Sequence, residues 1–250
     1  MQKFQKGILK ASGVIIITSV ILSIGYWIKA RSVISEMSTL ETGEVCKNVF
    51  AIKDTFTNIY LIKDGDNYVA IDAGNKPGNI QEELKKLNIE PGKIRTVLLT
   101  HSDGDHVAGI GLFQNAGIYL SKQEEQMING ETSRFFIFGN KLGKQEYQLI
   151  DDQQILSIGN IKIQGFLTPG HTPGSMCYLV NDSLLFSGDA LRLNNGKVEE
   201  FVGFLNMDSE TAVRSIGQII EIQRIKYIFT AHYGYSDNFS NAIKDWPLHF

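Results

Sequence analysis

The sequence predicts an α/β domain preceded by a single membrane-spanning helix. Three observations lead there: an uncharged apolar run near the N-terminus, alternating strand-like and helix-like segments after it, and polar clusters that recur where strand-like segments end. The chain has 250 residues, 43% of them apolar, with 24 glycines and 5 prolines. That composition suits a well-packed core and excludes a disordered chain.

The run "ASGVIIITSVILSIGYWI", residues 11–28, carries no charge. As a helix it spans about 27 Å, close to the hydrocarbon thickness of a bilayer. Tyr26 and Trp27 stand at its end, where interfacial aromatics belong, and Lys3, Lys6 and Lys10 precede it while Lys29 and Arg31 follow. The expected organisation is an anchor over 1–31, a polar connector over 32–44 and one folded domain over 45–250. The lipid bilayer is then a partner through residues 11–28. The slight basic bias puts the N-terminus inside the cell and the domain outside it, as a single-pass membrane protein. The competing reading is a cleaved signal peptide with a small-residue site at Ser23–Gly25, releasing a secreted domain.

Formal charge is −3 overall, but from residue 32 onward 19 basic residues face 27 acidic ones, a balance of −8. So acidic a body argues against a nucleic-acid partner without excluding one. Cys46 and Cys177 form no CxxC pair, and Cys177 within "SMCYLV" reads as a buried small hydrophobe.

In the body, "NIYLIKDGDNYVAIDAG" reads as two strands joined at Asp-Gly, and "NIQEELKKLNI" as a helix with Ile80, Leu84 and Leu87 on one face. "IRTVLL" is a strand, "VAGIGLF" a helix leading to a strand near "GIYL". Residues 121–150 have no clean period, and "RFFIF" within them could form an apolar flap or an internal helix. "QQILSIGNIKIQGFLT" gives a strand pair with a Gly-Asn turn, and "SMCYLV" with "SLLFSGD" gives another across Asn181-Asp182. "DSETAVRSIGQIIEI" is a helix capped by Asp208 or Ser209, and "IKYIFT" is the last strand.

Chemistry collects where these strands stop. His101, Asp103, Asp105 and His106 crowd into "THSDGDH", His171 sits in "TPGHTPGS", Asp189 ends "LLFSGD", and His232 follows "IKYIFTA". Taken singly, His171 fits a packing residue, and each aspartate fits a turn or cap. Together, imidazole nitrogen and carboxylate oxygen on loops at repeated strand ends make a donor set for zinc, iron or manganese. Tyr233, Tyr235 and Arg192 are candidate substrate contacts; packing or a surface salt bridge would explain them equally well.

"THSDGDH", "GHTPGS", "SGD" and "AHYG", with the opening hairpin, resemble the successive signatures of the metallo-β-lactamase superfamily across most of residues 45–235. The resemblance implies a four-layer αββα sandwich with two divalent metal ions, Zn²⁺ by family, between its sheets. It implies that His101, Asp103 and His171 hold one ion, that Asp105, His106 and His232 hold the other, and that Asp189 bridges them. The family's usual first motif is His-x-His-x-Asp-His, so Asp103 is a departure. A similar His-x-Asp-x-Asp-His is found in the β-lactamase-like domain of bacterial DNA-uptake channel proteins. Three aspartates against two divalent ions favour a harder metal, so Mn²⁺ or Fe²⁺ becomes an expectation beside Zn²⁺.

The implied function is hydrolysis of an ester, thioester, lactone or related small-molecule substrate by a metal-activated hydroxide, with Asp105 and Asp189 as the catalytic carboxylates. The alternatives are a nuclease or phosphodiesterase resembling the DNA-uptake domain, iron redox chemistry as in flavodiiron proteins, and a non-enzymatic metal-binding or sensor domain.

Overall fold

A computed structural model of the chain describes residues 2–134, 139–143 and 146–246. It divides into two units, Met1–Met37 and Ser38–Phe250. The first is one continuous helix, α1 (Gln2–Glu36). Its stretch Ile17–Glu36 is long and apolar enough to cross a membrane by length and composition, with mean hydropathy 1.2. Val20, Ile21 and Leu22 are all exposed although they point to different sides of the helical turn.

The second unit begins with an antiparallel meander. Strands β1 (Gly43–Cys46), β2 (Val49–Asp54), β3 (Thr57–Asp64) and β4 (Asn67–Ile71) pair in sequence, and β3 and β4 form the hairpin expected around Asp-Gly. Helix α2 (Pro77–Lys86) carries the chain to β5 (Ile94–Leu98), which pairs parallel to β4. A short α3 (Gly104–Val107) and a single 3₁₀ turn over 110–112 precede β6 (Gly117–Ser121). The continuous helix expected over "VAGIGLF" is therefore broken. Gly109 packs so closely under Ala73 that a Cβ would lie 2.1 Å from its carbonyl oxygen, and two glycines in five residues weaken any helix there. Helix α4 (Glu125–Ile128) follows, and β7 (Tyr147–Ile150) completes a seven-stranded sheet in chain order.

The second sheet is six-stranded. It comprises β8 (Ile155–Ile158), β9 (Ile161–Leu167), β10 (Met176–Val180), β11 (Leu184–Phe186), β14 (Tyr227–Phe229) and β15 (Tyr235–Ser236), the last two after a small hairpin of β12 (Leu191–Asn194) and β13 (Lys197–Glu200). The β10–β11 loop is Asn181-Asp182-Ser183: Asn181 and Asp182 have positive φ (47° and 57°), and Ser183 N donates to the Val180 carbonyl at 3.1 Å, closing a tight turn. Helix α5 (Ser209–Ile220) is capped by Asp208, whose side chain accepts from Thr211 N at 3.0 Å, and α6 (Phe239–Ala242) lies near the end of the described chain.

Alternation along the strands sorts residues into layers. In β3, Tyr60 and Ile62 pack inward on Met176, Tyr178, Phe186 and Phe229 of the other sheet, while Ile59 and Leu61 pack outward on Ile80 and Leu84 of α2. In β10, Tyr178 and Val180 face inward while Cys177 and Leu179 face outward onto Ile216, Ile219 and Ile220 of α5. Two sheets face to face, each backed by helices, make the αββα sandwich. Burial of Cys177 pushes its thiol up to about 12, in keeping with a packing role.

Two sequence expectations concern segments outside this framework. Over the expected connector 32–44, α1 runs to Glu36 and β1 starts at Gly43. The apolar flap of "RFFIF" falls on residues 135–138, outside the described residues.

Candidate metal centre

Four loops at one end of the two sheets meet. The loop after β5 brings His101, Asp103, Asp105 and His106; the β9–β10 turn brings His171; the loop after β11 brings Asp189; and the loop after β14 brings His232. All four imidazoles are buried, and each turns its Nε2 toward carboxylates. His171 Nε2 lies 3.2 Å from Asp103 Oδ2 and 3.4 Å from Asp189 Oδ2. His106 Nε2 lies 3.6 Å from both Asp105 Oδ2 and Asp189 Oδ2. His232 Nε2 lies 3.1 Å from Asp189 Oδ1 and 3.5 Å from Asp105 Oδ2, and His101 Nε2 is 3.6 Å from Asp103 Oδ2 and 4.0 Å from Asp189 Oδ2. Asp189 is thus within 4.0 Å of every imidazole in the group.

The other ring nitrogen of each histidine is held from behind. His101 Nδ1 meets Thr100 Oγ1 at 3.0 Å, His106 Nδ1 meets Asp72 Oδ2 at 2.9 Å, His171 Nδ1 meets Asn206 Oδ1 at 3.3 Å and His232 Nδ1 meets the Phe56 carbonyl at 2.7 Å. An acceptor behind Nδ1 fixes the proton there and leaves the Nε2 lone pair pointing into the cluster, which is how protein metal sites orient imidazole ligands. Among the described residues, buried His101 Nε2 and His106 Nε2 have no hydrogen-bond partner, a costly arrangement that a cation would relieve. Three overlapping trios have ligand atoms within 4.8 Å of one another: His101, Asp103 and His171; His101, His106 and Asp189; Asp105, His106 and His232. Nitrogen and oxygen donors so arranged fit divalent zinc.

Electrostatics agrees. Burial opposes charge on His106, but the carboxylates of Asp189, Asp105 and Asp72 outweigh it and raise its pKa well above the ordinary imidazole value. Burial likewise opposes charge on His232, and Asp189 again prevails and raises it. For Asp189 and Asp103 burial works against ionisation, yet the facing imidazoles hold both well below the usual carboxylate range. His171 is lowered, chiefly by burial, with His101 and Arg134 adding to the effect.

The sequence pattern of the Metallo-beta-lactamase superfamily matches residues 52–232, from β2 to the fourth imidazole. The chain belongs to the metallo-β-lactamase superfamily. PksB of Bacillus subtilis (strain 168), a probable polyketide biosynthesis zinc-dependent hydrolase, is 30% identical over 201 residues, covering 76% of this chain and 78% of its own. YqgX of the same organism, a probable metallo-hydrolase, is 29% identical over 143 residues, 54% of this chain and 65% of its own. In structure, a B3 metallo-β-lactamase with an active-site glutamic acid aligns over 83% of this chain and 86% of its own with TM-score 0.66, at 19% identity, a likeness of fold. Fold, family and paired ligand clusters together make this superfamily member a metal-dependent hydrolase with a dinuclear site of the zinc type.

The three candidate substrate residues have other partners. Arg192 pairs with Glu199 across β12 and β13 at 2.7 Å, with its guanidinium 5.9 Å from the Tyr233 ring centre. Tyr233 packs edge-on against Phe201 at 6.3 Å, and Phe201 in turn packs edge-on against His171 at 5.1 Å. Tyr235 stacks on Phe229 at 5.4 Å and keeps 36% of its surface exposed.

Several residues at the centre were not singled out from sequence. Asp72, at positive φ (63°), ends β4; its Oδ1 accepts from Thr100 N at 2.7 Å while its Oδ2 holds His106. Its one signal was an aspartate closing the apolar run "YVAID". Glu124 is fully buried and ties two ligand loops together, with Oε1 accepting from Ser102 N and Oγ (2.9 and 2.7 Å) and Oε2 from Thr172 Oγ1 and Gly174 N (2.6 and 3.1 Å). Gly174 permits this approach, since a Cβ there would lie 2.1 Å from Glu124 N. Gly188 of "SGD", at φ +52°, lies against Thr100, and a Cβ would sit 2.5 Å from its Oγ1. Arg134 and Asn140 both reach Asp103.

Proposed function

We propose that this hydrolase holds one zinc ion on His101, Asp103 and His171 and a second on Asp105, His106 and His232, with Asp189 reaching both, and that it cleaves a small ester, thioester or lactone. The convergence of four Nε2 atoms on three carboxylates, each ring fixed from behind, is the observation that carries this reading. The His-x-Asp-x-Asp-His first motif is thereby read as a working ligand set with a carboxylate at its second position. Zinc is favoured over manganese and iron by the four imidazoles and by the zinc dependence attributed to PksB.

When bound, the two ions supply a nucleophile derived from water at neutral pH and a Lewis acid for the scissile carbonyl. The chain's own groups do the rest. Asp105, whose Oδ2 accepts from Thr57 Oγ1 at 3.4 Å, and Asp189 would orient the attacking water while serving as ligands. Phe201, at 5.1 Å from His171 and 5.9 Å from His232, supplies an apolar wall that narrows the site and limits water around the reacting centre.

We further propose that residues 11–28 of α1 anchor the protein as a single span, with the catalytic domain on the extracytoplasmic side and the folded region beginning near residue 45. Support comes from the length and hydropathy of Ile17–Glu36 in α1 together with the basic residues before residue 11. Recovery of the protein as a soluble species lacking its N-terminal segment would instead favour secretion.

The test of the enzymatic reading is elemental analysis of the purified protein paired with hydrolysis of a panel of chromogenic ester, thioester and lactone substrates. About two zinc ions per chain with activity abolished by chelation and restored by zinc is expected. Turnover that persists in fully chelated protein contradicts it.

A further inference from the structure

The residue at the superfamily's point of departure, Asp103, is not free. Arg134 donates from one terminal nitrogen to Asp103 Oδ2 at 2.6 Å, and the same nitrogen is 3.3 Å from His171 Nε2. Its other terminal nitrogen donates to the Leu205 carbonyl. Asn140 donates to the second oxygen, Asp103 Oδ1, at 2.9 Å and to Ser102 Oγ at 2.8 Å. Both oxygens of Asp103 and the lone pair of His171 thus already have donors from the segment that contains Arg134 and Asn140. The Arg134 side chain is 14% exposed and its guanidinium cannot be neutralised by losing a proton, so its charge stays beside these ligands.

The contacts set an upper limit on how far this charge lies from any ion on Asp103. An ion bound to Asp103 Oδ2 at about 2.1 Å can be no more than about 5 Å from the Arg134 nitrogen, whichever side it enters. Two cations so close in a poorly solvated site repel strongly. The second half of the centre carries no such neighbour among the contacts of Asp105, His106 and His232, which face Thr57, Asp72 and the Phe56 carbonyl. Charge counting gives the same asymmetry: Arg134 cancels the negative charge that Asp103 adds, so the pair presents the first position with the net charge of a neutral ligand.

We propose that Arg134 is a built-in competitor for the first ion position, so that the two positions load in order, the Asp105–His106–His232 side first and the Asp103 side second and more weakly. This rests on the ligand assignment proposed above. Arg134 holds the Asp103 carboxylate and the His171 lone pair in place, and the second ion binds only as it displaces those two contacts. The requirement for a second ion becomes a dependence on its free concentration, set by one arginine.

The experiment is calorimetric titration of zinc chloride, buffered by a competing chelator, into metal-free full-length protein in detergent. It compares the native chain with Arg134→Met, Arg134→Gln, Asp103→His and the Asp103→His/Arg134→Met double variant. Circular dichroism melts confirm that each is folded. The native protein should show two events, and both single Arg134 variants should tighten the weaker one by about tenfold or more while leaving the tighter one unchanged. Asp103→His should weaken the second event further, because Arg134 then has no carboxylate partner, and the double variant should recover it. A second event in folded Arg134→Met and Arg134→Gln within about threefold of native, with two ions still bound, overturns the competition and leaves the ligand assignment standing. Failure of every variant and of the native chain to bind zinc overturns both.

Discussion

Replacing Glu124 should unfasten the metal centre from a distance. Its carboxylate is an acceptor with four donors, two from the His101 loop and two from the His171 loop, all buried. In Glu124→Ala these four donors lose their partner at once. At about 1 kcal/mol or more for each stranded group, the loss is about 4 kcal/mol, a large share of a stability of about 5–15 kcal/mol. Glu124→Gln keeps the shape and one oxygen for Ser102, but turns an amide N–H₂ toward the Gly174 N–H. One contact is lost and Thr172 must reorient its hydroxyl, for a cost of about 1–2 kcal/mol. Urea unfolding of the metal-free protein, followed by circular dichroism, measures both. The two loops should also lose register, so zinc affinity should fall in the same order, native above Gln above Ala. An alanine variant within about 0.5 kcal/mol of native, the usual error of such curves, would refute the idea that this one carboxylate joins the loops.

Other expectations follow from the same geometry. Asp72→Ala frees the His106 ring and leaves Thr100 without its acceptor, so zinc affinity should fall about 10–100-fold by competition titration. Asp189→Ala removes the carboxylate that every imidazole faces, and hydrolysis should drop by more than about 100-fold, beyond the effect of losing an orienting partner. His106 and His232 have raised pKa values in the ion-free centre, and an ion takes them neutral. Zinc binding should therefore release protons near neutral pH and tighten as pH rises, which calorimetry in buffers of different ionisation enthalpy reads directly. For the ion-free protein the sign is opposite. Stability from these raised imidazoles is fully present below about pH 6.5, the ordinary value, and is lost as pH rises through their folded values. Stability from depressed Asp103 and Asp189 is present above about pH 3.9 and lost as pH falls through theirs.

Much of the sandwich was legible because its central strands announce themselves locally. The β3–β4 and β10–β11 hairpins are apolar runs around Asp-Gly and Asn-Asp, and their loops fall there, at Gly65-Asp66 and at Asn181-Asp182-Ser183. Helix α5 carries both its cap and its apolar face in twelve residues. By contrast, β1, β7, β12, β13 and β15 are 2–4 residues long, too short for any period to show; β1, β7 and β15 add to the edge of a larger sheet, and β12 and β13 pair with each other. The same division runs through the centre. His101, His106, His171, Asp189 and His232 were visible as chemistry at strand ends. Glu124 and Arg134 were not, since their partners lie 22 to 50 and 31 to 71 residues away in sequence. A charged residue in an aperiodic segment gives no sign of which distant backbone it will meet. Arg192 shows the converse: its position beside Asp189 suggested a substrate contact, whereas the hairpin register places it opposite Glu199.

The most direct test of the metal centre is an anomalous difference map, recorded at the zinc edge, from crystals of the zinc-loaded catalytic unit or the full chain. Two peaks are expected among the four Nε2 atoms, each about 2.0–2.2 Å from imidazole nitrogen and carboxylate oxygen, with Asp189 touching both. Peaks confined to the protein surface, with His101, His106, His171 and His232 bound to no ion at saturating zinc, would contradict it.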